Sequence, residues 1–207
     1  NILSDLGKLQ EAFNSYLKSI EINPMLPNIY ELITNLLQDA NPSQLNKSKL
    51  KNTLNLLLKR NDISHQKLFK VFNFLYGNEI IINLEKSDPN CSRIELLMNG
   101  EIIIDALKKI IFYDHKLEKV LIKLRRNICH RIARNIETIN YSELQFIIAL
   151  GEQCFLNEYI YAFTEEENIS VNTILQRCKE GEINESNIAI LSCYLPLYKL
   201  FDQIPSL

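Results

Sequence analysis

Glycine and proline are scarce in this chain of 207 residues, five of one and six of the other. A many-stranded β protein needs many turns, and turns consume both residues, so the scarcity favours long helices. The glycines are also dispersed, at Gly7, Gly77, Gly100, Gly151 and Gly181. A phosphate cradle or dinucleotide-binding turn needs them clustered, because the backbone must approach the ligand closely. Neither a Walker-type loop nor G-x-G-x-x-G can be formed. No apolar run approaches the roughly 20 residues of a membrane-spanning helix, and there is no signal peptide. The sequence starts at Asn1 without an initiator methionine, and Ile2 and Leu3 already follow a helical pattern. The natural start is expected upstream.

The cysteines, Cys91, Cys129, Cys154, Cys178 and Cys193, are odd in number and contain no C-x-x-C pair. A secreted disulfide framework normally has an even count at short spacings. Five reduced thiols in a cytoplasmic protein are expected. The net charge of -2 argues against a dedicated nucleic-acid binder, and no membrane partner is indicated. The hydrophobic fraction of 46% and the charged fraction of 23% are those of a globular protein.

Apolar spacing predicts an all-α fold. In residues 1–24 the positions Leu3, Leu6, Leu9, Ala12, Phe13, Tyr16, Leu17 and Ile20 suit two short helices joined at Gly7 and closed by Pro24. The run DLGKLQEAFNSYLKSIEINP resembles the second half of a tetratricopeptide repeat. Gly7, Ala12, Tyr16, Ser19 and Pro24 stand at that family's characteristic positions. The family period is about 34 residues, so a second repeat can be sought. Its first helix fits, with Pro27, Tyr30, Ile33 and Leu37 in place. Its second does not, since Asn41, Asn46 and Leu58 stand where Gly, Ala and Pro are expected. The array is expected to end in a lengthened closing helix over 42–60, giving a first region 1–60. In this family the concave surface built from first helices binds peptides. Asn28, Tyr30, Glu31, Asn35 and Gln38 would form that face here.

A second helical region, 61–200, follows, with 201–207 as a tail or a linker to a further domain. Residues 64–76 read as a short helix with Ser64 as cap, and Gly77-Asn78 as a break. Residues 79–84 fit a buried strand or a helical turn equally well. Residues 92–111 favour a helix, although Asn99-Gly100 could be a turn that leaves 101–104 as a strand. Asp114 can cap a helix with the stripe Leu117, Val120, Leu121, Leu124, Ile128 and Ile132. Asn140 with Glu143 suits the cap of a helix running to about Phe163, with Leu144, Ile147, Ile148, Phe155 and Tyr159 buried. Helices over 165–179 and 184–195 complete the region. Gly181 separates them, and Pro196 stops the last.

Chemistry is harder to find than structure. Cys129 and His130 are adjacent, so they point about 100° apart on a helix and cannot chelate together. Cys154 and Glu158 share a helical face, but one such pair is a weak metal site. No His is placed beside Cys154 to activate it, and a buried core thiol is the simpler reading. Lys116, Lys119, Lys123, Arg125, Arg126, His130, Arg131 and Arg134 could form an anion patch. They equally suit a solvated face paired with nearby acidic segments, and the chain's net acidity favours that. Glu165, Glu166 and Glu167 sit where a helix starts, where acidic groups complement its dipole. No catalytic, cofactor-binding or metal-ligating residue is assigned.

Two runs carry a resemblance of their own. LGEQCFLNEYIYAFTEEE (150–167), followed by CYLPLYKL (193–200), looks like a signature of bacterial and cyanobacterial tetratricopeptide-repeat methyltransferases. There a repeat array leads into a helical region with a QCF-x-NEY stretch, and an S-adenosylmethionine-dependent domain follows. The resemblance implies a non-catalytic scaffold or regulatory region whose parent uses S-adenosylmethionine in a domain beyond residue 207. It marks Gln153, Cys154, Asn157, Glu158 and Tyr159 as the candidate functional cluster. The implied partners are a peptide or protein on the repeat array and the parent's own catalytic domain. A free-standing interaction module is the alternative.

Overall fold

The computed structural model describes residues 8–85, 100–135 and 138–204, and among them every regular element is a helix. The chain divides into two compact units, one up to Asn78 and one from Glu79. The turn expected at Gly7, Cys91 and the 92–99 part of the helix expected over 92–111 lie outside the described residues.

The first unit contains α1 (Leu9–Ile22), α2 (Ile29–Asp39) and α3 (Lys47–Leu58). Their apolar positions meet in a core of Phe13, Ile33, Leu37, Leu50, Leu54, Leu57 and Leu58. The closing helix is shorter than 42–60. Pro42–Gln44 form a 3-10 turn, Leu45 is extended, and the α-helix begins only where Asn46 accepts a bond from Lys49 N–H. A side-chain cap fixes a start at the residue that carries it. The Asn46 N–H itself donates to Gln10 Oε1 at 2.7 Å, and Lys49 Nζ donates to Asn14 Oδ1 at 2.8 Å, so polar bonds tie α3 to α1.

Residues 61–78 pack with this first unit. His65–Leu68 form a 3-10 turn against α2, and Ser64 precedes it without a side-chain cap bond. The short α4 (Phe69–Phe72) follows, burying Phe69, Val71 and Phe72. Gly77-Asn78 is not a break. The helical path runs through a π-turn, Asn73–Gly77, directly into α5 (Asn78–Glu85). A Cβ at Gly77 would overlap the Asn73 side chain, so glycine lets the wider turn close. The 79–84 stretch is helix.

The second unit adds α6 (Glu101–Lys109), α7 (His115–Ala133), α8 (Tyr141–Leu156), α9 (Glu165–Lys179), α10 (Glu185–Ser192) and α11 (Leu197–Gln203). Gly100 is the N-cap of α6, so 101–104 is helical. The caps at Asp114 and Asn140 are as the sequence predicts: Asp114 accepts from Lys116 and Leu117 N–H, and Asn140 from Glu143 N–H. Helix α8 packs against both α6 and α10. Burial on two sides widens its apolar arc beyond a single stripe. Phe146, Ile147, Ala149, Leu150 and Cys154 are buried, whereas the expected Phe155 is exposed and Leu144, Ile148 and Tyr159 are half-buried. The helix expected over 184–195 with Pro196 as its stop ends already at Ser192, and Pro196 instead is the N-cap of another helix, α11, in what was expected to be the last stretch before a tail.

Helix α8 ends at Leu156, not near Phe163. Its end is a Schellman arrangement: Tyr159 N–H donates to Cys154 O at 2.8 Å and Glu158 N–H to Phe155 O at 3.0 Å. Helix α9 ends the same way, with Glu182 N–H on Arg177 O and Gly181 N–H on Cys178 O. The residue after the cap must be left-handed. At α9 it is Gly181, φ 101°, but at α8 it is Glu158, φ 58°, followed by Tyr159 at φ 59°. Side chains there strain the backbone, which glycine does not. Glu158→Gly should therefore raise unfolding free energy by about 1 kcal/mol in urea melts, and Gly181→Ala should lower it by about the same.

Candidate functional site

The 153–159 cluster splits three ways. Gln153 is fully buried, and its amide closes the end of α6. Nε2 donates to Leu107 O at 2.9 Å and Ile110 O at 2.7 Å, while Oε1 accepts from Phe112 N–H at 2.8 Å. Helix C-termini leave carbonyls without intrahelical partners. One glutamine on α8 supplies two of them with donors and turns the following strand of backbone toward itself. This is a complete structural role.

Cys154 and Asn157 face the interior instead. The Cys154 and Cys193 thiols lie together, with Arg125 close by. The approach is permitted by Gly151, where a Cβ would collide with the Ser192 hydroxyl of α10. The Cys193 hydrogen bond and the Arg125 charge lower Cys154 against burial, whereas burial pushes Cys193 up. Both sulfurs are sealed from solvent, so neither can act as a nucleophile toward a dissolved substrate. The Asn157 amide sits beside the Tyr161 hydroxyl at a geometry short of a full hydrogen bond.

The buried charge in this region escaped the sequence reading. Arg125, grouped there with a solvated basic face, is only 2% exposed and pairs with Glu167, which is 0% exposed, at 3.2 Å. Glu167 is the third residue of α9, and Thr164 and Glu167 form a reciprocal capping box. Its carboxylate accepts four bonds. Oε1 takes Arg125 Nη2 at 3.2 Å and the Tyr194 hydroxyl at 2.8 Å. Oε2 takes Arg126 Nε at 3.1 Å and Thr164 N–H at 2.9 Å. Arg125 also donates to Ala162 O at 2.9 Å, and its guanidinium carbon lies 4.4 Å from the centre of the Tyr194 ring. Burial alone would raise the Glu167 pKa, but these bonds outweigh it and hold the carboxyl below its ordinary 4.5. Burial pushes the Cys129 thiol up to about 11.

Two further residues of the basic helix are spent in the same manner, whereas Lys116, Lys119, Lys123 and Arg134 are exposed. Arg131 pairs with Glu143 at 2.8 Å, and His130 Nδ1 lies 2.7 Å from Ser170 Oγ. Arg177 of α9 donates to Ile132 O, Ala133 O and Asn135 Oδ1, capping the end of α7. Arg125, Arg126, His130 and Arg131 thus serve helix packing.

Glu158 and Tyr159 reach the surface. Tyr159 lines a groove of about 350 Å³ between the end of α8 and the start of α11, together with Glu152, Phe155, Pro196, Leu197 and Tyr198. The Phe155 and Tyr159 rings stand 6.5 Å apart at 77°. Burial pushes the Tyr159 phenol up to about 12, so it stays neutral.

In the first unit, the expected concave residues are dispersed. Tyr30 is buried, donates to Pro24 O at 3.1 Å and lies 3.7 Å under the Arg60 guanidinium. Lys67 Nζ donates to both Glu31 Oε1 and Asn35 Oδ1 at 2.6 Å. The Lys67 bond holds Glu31 below its ordinary pKa. Asn28 and Gln38 are exposed.

Among the described residues no group of His, Cys, Asp and Glu could hold a metal ion, and no helix is long and apolar enough to cross a membrane. No protein-family model, curated protein or solved structure matches the chain.

Two substitutions separate these roles. Gln153→Ala strands three buried backbone groups and should cost about 3 kcal/mol of unfolding free energy in denaturant melts. Glu167→Gln leaves Arg125 as a buried, uncompensated charge and should cost roughly 3–5 kcal/mol. Because folding lowers the Glu167 pKa, its contribution is complete above 4.5 and fades as pH falls through the folded-state value. Melts from pH 6 to pH 3 should therefore fall less steeply for Glu167→Gln than for the parent chain.

Proposed function

We propose that this chain is a non-catalytic helical scaffold or regulatory region of a larger protein. What supports this is the disposition of its reactive groups. Gln153 is consumed by the end of α6, Cys154 and Cys193 are sealed, and Glu167 is saturated by four donors. A catalytic centre needs groups that can reach a substrate and change protonation there.

The parent would be an S-adenosylmethionine-dependent methyltransferase, on the strength of the QCF-x-NEY resemblance, with its catalytic domain elsewhere in the polypeptide. The residues described do not fit that cofactor. Gly151 serves a close helix contact, Gly77 a π-turn and Gly181 a helix end, so none opens a cradle for a nucleoside. The cytoplasmic location and the partnership with a catalytic domain in cis belong to this same proposal. The three helices of the first unit would then be the close of a tetratricopeptide array. Peptide capture on that face alone is the weaker reading, because Lys67 already occupies Glu31 and Asn35.

Calorimetry with S-adenosylmethionine tests both parts. The intact parent should bind it and the 207-residue chain should not. Binding by this chain would end the non-catalytic reading. Failure of the parent to bind would end the methyltransferase reading.

A further inference from the structure

The groove between the end of α8 and the start of α11 has a composition that selects its ligand. Phe155, Tyr159 and Tyr198 supply three aromatic rings, and Glu152 is the one charged residue among those lining it. Phe155 and Tyr159 form a corner, nearly perpendicular and 6.5 Å apart. Phe155 and Tyr198 are 63% and 64% exposed, so their rings are largely open to solvent rather than packed in the core. Glu152 is exposed and makes no ion pair or hydrogen bond among the described residues.

Aromatic faces carry negative potential and attract cations within about 6 Å of the ring centre. A primary ammonium is strongly hydrated and would keep its water shell. A cation whose nitrogen is covered by methyl groups has no N–H to satisfy, and it gains from both apolar contact and the ring field. The Ser192 hydroxyl in the groove already donates to Ala189 O at 2.7 Å, so it offers no proton to an anion. The groove's volume of about 350 Å³ is that of a small-molecule site at the lower end of the usual range.

We propose that this groove binds the trimethylammonium head of a small choline-type cation, with Phe155, Tyr159 and Tyr198 around the methyl groups and Glu152 neutralising the charge. The inference stands on the groove alone and does not depend on the parent being a methyltransferase. Glycine betaine, which carries its own carboxylate, should be disfavoured by Glu152.

Choline chloride titrated into the chain and followed by NMR chemical shifts is the test, with neutral 3,3-dimethyl-1-butanol as the isostere. Choline should shift resonances of Glu152, Phe155, Tyr159 and Tyr198, and the neutral isostere should bind about tenfold more weakly, in line with a desolvated cation–π contact. Tyr198→Ala and Glu152→Gln alter exposed side chains and should each weaken choline binding several-fold, with the far-ultraviolet circular dichroism unchanged. Equal binding of choline and its isostere would overturn the proposal, because it would reduce the groove to a hydrophobic slot. So would the absence of any shift with choline, or selective binding of free trimethyllysine when choline fails.

Discussion

The second unit is organised around one buried carboxylate. Glu167 gathers a guanidinium from the middle of α7, a second one beside it, the start of its own helix, and the hydroxyl of Tyr194 just past α10. Bringing charges out of water is costly, and only near-complete hydrogen bonding offsets it. That requirement is met by residues from separate stretches of chain, so the helices can pack in only one register if Glu167 is to be satisfied. The thiols of Cys129, Cys154 and Cys193 fill the space around this polar centre, and burial keeps Cys129 and Cys193 protonated.

Gln153 extends the same logic to α6. An amide can both donate and accept, which is what a helix end followed by an extended segment demands. Gln153 satisfies the α6 terminus from α8, while Arg177 satisfies the α7 terminus from α9. The ends of α6 and α7 are thus completed by neighbouring helices, which couples local termination to tertiary packing. The α8 end then swings out through two left-handed residues and places Tyr159 at the groove.

Much of the helix pattern was legible because its signals are local. Asp114, Asn140 and Gly181 punctuate helices by their own chemistry, and the stripe from Leu117 to Ile132 is buried as its spacing requires. The end of α8 was not legible, since Glu158 and Tyr159 adopt a conformation that usually calls for glycine. The role of Arg125 was hidden among seven other basic residues on or beside one helix. Only the partner's position, 42 residues away in Glu167, distinguishes it. A faint signal did exist: Arg125 lies one residue from Leu124 and three before Ile128, on the edge of the apolar stripe. The 153–159 run was singled out as a functional cluster, yet its members divide between a clamp, a core and a groove, because consecutive residues at a helix end point in different directions.

The central claim is that Arg125 and Glu167 act as one unit. A double-mutant cycle with Arg125→Met and Glu167→Leu measures this directly, read as unfolding free energies in urea. The account predicts that each single change is severely destabilising and that the double variant recovers about 2 kcal/mol or more of the summed loss, because no fully buried charge is left unpaired and the part-exposed Arg126 can turn to water. Additive losses would contradict it and would reduce the pair to two unrelated core residues.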